Sequence, residues 1–179
     1  MKKDQAYIFY LISILSFVAI KFSYNAIDVA GLSFILRPTD YFVSIITNSN
    51  SVFIQGLGYY HQDLNITVEK PCSGFNFLSI SFLIIYCLCV SYLKSLKSRC
   101  LAFPVSFLFS WLSTIFVNTS RISTSIFISK SFIVPKHHQA FIHQAEGIFI
   151  YLLFLILSYR LINHLLKTYL VSYEKSAQS

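Results

Sequence analysis

Three side chains in this sequence have the types that acyl transfer requires. They are Cys72 in "EKPCSGFNF", Arg121 in "VNTSRISTSIF" and His143 in "HHQAFIHQAEG". A thiolate is a strong nucleophile, and a helix start or a neighbouring cation lowers a thiol's pKa. Pro71 and Ser73 read as helix-start residues, which places Cys72 at such a start. His143 would take the thiol proton or protonate a leaving amine. Arg121 would hold an oxyanion, or a substrate carbonyl, with fixed charge in a poorly hydrated site. Four neighbours have supporting roles in this reading. Asn118, three residues before Arg121, shares its helical face and would orient it or a substrate carbonyl, or simply join helices. Glu146, three residues after His143, would orient the imidazole or serve as an interface carboxylate. Gly74 and Gly147 would let helices or a substrate chain approach closely. Each residue alone also has an ordinary reading: Cys72 as a small apolar residue, Arg121 as a snorkelling anchor, His143 as a satisfied helix-start histidine. His137 and His138 are alternative bases without a glycine at the same spacing, and His61 reads as solvated.

These groups matter only if the chain brings them together, and the elements that must do so are membrane spans. The sequence is 55% hydrophobic and 12% charged, and it contains four long apolar runs. These run from Ala6 to Tyr24, Phe75 to Leu93, Leu101 to about Val117, and Ile148 to Leu166; each approaches the roughly 20 residues needed to cross a bilayer. The expected fold is therefore an all-α integral membrane protein, a single domain over 1–179, with about four transmembrane helices. In "GLSFILRPTDYFVSIITN", Arg37 and Pro38 divide two short apolar pieces, so a broken or interfacial helix on the outer surface is expected there. The segment "SVFIQGLGYYHQDLNITVEKP" is punctuated by Gly56 and Gly58, and "LNITVE" alternates as a strand does. A small extracytoplasmic hairpin is expected from it.

Basic residues give the orientation. With the amino terminus inside, residues 1–5, 94–100 and 164–179 are cytosolic and carry seven Lys or Arg in 28 residues; the outer segments 25–72 and 121–142 carry five in 70. That contrast follows the positive-inside rule. Cys72, Arg121 and His143 then share the outer end of the bundle. From Cys72 to the inner loop, and from that loop to Arg121, is about 20–22 residues each way, or about 30–33 Å of helix. The formal charge of +7 is scattered between apolar runs, so no basic face for nucleic acid can be assembled. The cysteine spacings fit no zinc pattern. Cys87 and Cys89 read as packing residues, Cys100 as cytosolic.

The pieces "PCSGFNF", "NTSRI" and "HQAEGIF", in this order on successive spans, resemble the exosortase/archaeosortase family of membrane-embedded cysteine transpeptidases, most closely its small exosortase K type. The resemblance covers about residues 71 to 157. It implies Cys, Arg and His active-site residues, which fall on Cys72, Arg121 and His143, and it implies no metal or organic cofactor. It further implies that the partners are exported proteins bearing a carboxy-terminal sorting signal, cleaved at the outer face of a bacterial inner membrane and passed to a surface acceptor. The competing expectation is a non-enzymatic membrane subunit of an export or polysaccharide system. A weaker one, a thiol-redox protein, needs a resolving cysteine, yet Cys87 lies about four turns deeper than Cys72.

Overall fold

The structure, a computed structural model, describes residues 4–131 and 136–176. Five helices account for most of it: α1 (Asp4–Ala26), α2 (Ser33–Thr47), α3 (Phe75–Tyr92), α4 (Leu96–Ser131) and α5 (Lys136–Ser176). Among the described residues, four segments are long and apolar enough to cross a membrane: Ala6–Ala26, Lys70–Tyr92, Leu96–Ser129 and Gln144–Tyr169. The expected all-α integral membrane fold with four spans is observed. The helices of the third and fourth spans, α4 and α5, are 36 and 41 residues long and run well past the apolar runs that announce them.

α3 is the centre of the bundle, packed by α1, α4 and α5. Its contact with α4 is close because α4 turns a row of small polar residues inward. Ser106, Ser110, Thr114 and Asn118, four apart, are all buried, and small residues let helix backbones approach in a bilayer. At one end of the bundle the short turn into α4 is held by Arg99, whose Nε donates to the Leu93 carbonyl at 2.7 Å. Tyr92 ties the same end to α5 through Asn163 at 2.7 Å. That end closes around Phe82, Tyr86 and Phe103, which meet at ring-centroid distances of 5.2–6.0 Å.

The opposite end carries α2 and a small sheet. A broken or interfacial helix is expected here; α2 is one continuous helix, without a break at Pro38. Proline removes the N–H that would have bonded the carbonyl four residues back. That carbonyl belongs to Phe34, and it accepts a bond from the indole Nε1 of Trp111 on α4 at 3.0 Å. A side chain 77 positions away thus satisfies the group the proline orphans. At 15 residues, about 22 Å, α2 is too short to span. It buries Ile35, Leu36, Thr39, Asp40 and Val43 and leaves the rest of its surface largely exposed.

The expected hairpin is a three-stranded antiparallel sheet: β1 (Ser51–Ile54), β2 (Gly58–His61) and β3 (Ile66–Val68). Ser51 pairs with His61 across β1–β2, and His61 with Ile66 across β2–β3. His61 is not solvated: it is fully buried. Its Nε2 lies 2.9 Å from Asp40 Oδ1 and its Nδ1 2.8 Å from Ser49 Oγ. Ser51 Oγ donates to the other carboxylate oxygen of Asp40 at 2.7 Å. One imidazole therefore pins the sheet to α2. His61→Ala would leave the Asp40 carboxylate without that partner, at a cost of roughly 2–4 kcal/mol. The expected result is a clearly lowered thermal midpoint in detergent, with the spans still inserted.

Candidate active site

The site starts from the chain segment that leads into α3. After Glu69, which is extended, Lys70–Ser73 form one 3-10 turn, and Gly74 at φ +71° reverses the backbone before α3 begins at Phe75. Pro71 lies at the start of this turn, and Ser73 ends it just before the span. The Cys72 N–H donates to the Glu69 carbonyl at 2.8 Å, and Ser73 Oγ accepts the Phe75 N–H at 3.4 Å. Only glycine suits position 74. Its φ is left-handed, and a Cβ there would lie 3.0 Å from the Thr114 methyl and 3.2 Å from Asn118 Cγ.

Lys70 fixes the turn from the side of α1. Its Nζ donates to the Ile27 carbonyl at 2.6 Å, just beyond the end of α1, and sits 4.8 Å above the Tyr24 ring. Tyr24 returns a bond to the Lys70 carbonyl at 3.2 Å. The charged residue beside the thiol thus anchors the loop.

From α4, Asn118 and Arg121 reach the same cysteine. The amide Nδ2 of Asn118 donates to the Cys72 carbonyl, and Nη2 of Arg121 points at Cys72 Sγ from 3.9 Å. The sulfur and the guanidinium expected at one depth do meet. α5 supplies a residue that the sequence did not mark, Tyr151. Its hydroxyl accepts from Arg121 Nη1 at 2.8 Å and donates to Asn118 Oδ1 at 2.9 Å. The Arg121 guanidinium also lies 5.4 Å from the centre of the Tyr151 ring. Gly147, one turn earlier on α5, makes room for this arginine: a Cβ there would stand 3.2 Å from Arg121 Nε and 3.4 Å from Cδ. That buried Nε has no hydrogen-bond acceptor among the described residues.

The remaining candidates divide. Glu146, expected to orient His143, shares a hydrogen bond with Ser125 of α4 and lies in the field of Arg121. Its buried Oε1 has no hydrogen-bond partner among the described residues. His143 lies on α5 one turn before Gly147, and so in register with the face that carries Gly147 and Tyr151. Its side chain, like those of His137 and His138, falls outside the described residues. Beside the cysteine turn is a polar recess of about 30 Å³ lined by Tyr24, Ser73, Asn76 and Tyr151 among others, enough for a single water. Lys21 of α1 donates to the Asn76 side chain at the same level. Lys21 and Asn76 also went unmarked in the sequence, though a lysine inside an apolar span is itself a signal of function.

A profile of the transmembrane exosortase family matches residues 6–160, most of the chain and all three motifs. The chain belongs to the transmembrane exosortase family. The match takes in the amino-terminal span as well as the part that carries the motifs, so α1 and α2 are part of the exosortase unit. No curated protein and no solved structure matches the chain. In exosortase terms, "PCSGFNF" builds the turn bearing the thiol, "NTSRI" supplies the two α4 side chains that grip it, and "HQAEGIF" holds the glycine that admits the arginine.

Proposed function

We propose that this exosortase is a cysteine transpeptidase that cleaves exported proteins near a carboxy-terminal sorting signal. The observation that carries the reading is the approach of Arg121 to Cys72 Sγ, with the backbone of the same cysteine held by Asn118. The guanidinium sets a fixed positive charge beside the sulfur, where it can meet negative charge that develops during reaction. Arg121 is thus the partner of the nucleophile before attack, and it remains next to the negative charge that moves to the substrate oxygen during attack.

The reaction runs in two steps. Cys72 adds to the scissile carbonyl, the carbon–nitrogen bond breaks, and the amine leaves with a proton, giving a thioester. A surface acceptor, an amine or another nucleophile, then attacks the thioester, releases the thiolate and gives up its proton. His143 moves the proton in both steps. The centre faces the extracytoplasmic side of a bacterial inner membrane, in keeping with the excess of Lys and Arg at the other end of the bundle.

The test compares the carboxy termini of surface proteins in cells with and without this chain. Truncated termini with an acceptor attached should appear only in its presence. Identical termini in the two would refute the reading.

A further inference from the structure

We infer that Tyr151 is a positioning residue that locks Cys72 at both ends, its sulfur through Arg121 and its carbonyl through Asn118. The inference rests on the peptidase reading and deepens it by naming what sets the geometry of that centre. Hydrogen-bond chemistry leaves one arrangement. Arginine has no acceptor, so Nη1 must donate to the tyrosine oxygen, and the tyrosine proton is then free only for Asn118 Oδ1. With Oδ1 committed, the amide of Asn118 must present Nδ2 to the Cys72 carbonyl. The other arm of the guanidinium, Nη2, meets Cys72 Sγ. The circuit leaves Cys72 at its sulfur and returns to the same residue at its carbonyl, through α4 and α5.

The phenol oxygen of Tyr151 on α5 hydrogen-bonds both α4 side chains. Without it no hydrogen bond from α5 among the described residues fixes which way the Asn118 amide faces or how the guanidinium is turned. The ring itself does separate work. It packs 5.4 Å from Phe77 and lies under Arg121, contacts that phenylalanine would keep. Tyr151→Phe therefore removes the lock while leaving the packing.

The experiment follows Tyr151→Phe in the full chain, reconstituted in lipid, by two readouts. The first is turnover of a tagged substrate: kcat should fall about 10- to 100-fold with KM changed less than about threefold, as expected when a reacting group is misplaced. The second needs no substrate: alkylation of Cys72 by a membrane-impermeant maleimide across pH, whose profile should shift in the variant. Gly147→Ala serves as a second variant, since its Cβ would press on Nε and Cδ of Arg121. It should reproduce both effects if Tyr151→Phe does not accumulate. Profiles and kcat that superimpose on the unaltered protein would overturn the inference. Substrate left uncleaved by the unaltered protein would overturn the peptidase reading instead, and the alkylation arm would still decide the lock.

Discussion

Cys72→Ala is expected to reduce processing of a tagged sorting-signal substrate by at least about 10⁴-fold, the scale on which loss of a nucleophile falls. Insertion and accumulation of the protein should not change. The reason lies in what the side chain does. Its sulfur meets the guanidinium of Arg121, whereas the bonds that hold the turn use the backbone of residue 72, which alanine keeps. Few substitutions separate chemistry from folding so cleanly. Processing by this variant at the normal rate would remove Cys72 from the reaction.

Arg121→Lys is expected to cost about 10²- to 10³-fold in kcat, the range for loss of one donor to developing charge, although formal charge is preserved. The guanidinium reaches Tyr151 with one arm and Cys72 with the other, 2.8 and 3.9 Å away. An ammonium is a single point and cannot bridge both. The space that Gly147 leaves open fits the Nε–Cδ segment of arginine, so lysine would also underfill it. This substitution separates the transpeptidase from a non-enzymatic subunit. An arginine that merely anchors a helix at the interface tolerates lysine, and activity within about threefold of normal would favour that role.

Local signals and distant partners explain what could be read from the residues alone. The meeting of Cys72 and Arg121 was legible because both are counted along straight helices from one short turn, Leu93 to Ser95, so equal lengths bring them to one level. Asn118 followed from helical spacing alone. Pro38 misled because the remedy for its missing N–H, the only tryptophan of the chain, comes from a helix far along the sequence. His61 misled for the same reason: Asp40 and Ser49 belong to segments read independently of the sheet. Tyr151 gave no signal, since a tyrosine among "IFIYLLFLIL" looks like any core or lipid-facing aromatic. Only the positions of Asn118 and Arg121 across the helix interface give its hydroxyl a purpose. The small residues of α4, Ser106 to Asn118 at intervals of four, were readable and define the face on which α3 lies.

The most direct measurement is to trap the acyl-enzyme. Incubating the full chain in lipid with a sorting-signal substrate and digesting it rapidly should yield, by mass spectrometry, a substrate fragment attached to the peptide containing Cys72. Hydroxylamine should release it, as it does a thioester, and Cys72→Ala should not form it. Product formation with no such adduct, or with the fragment on another side chain, would contradict the account.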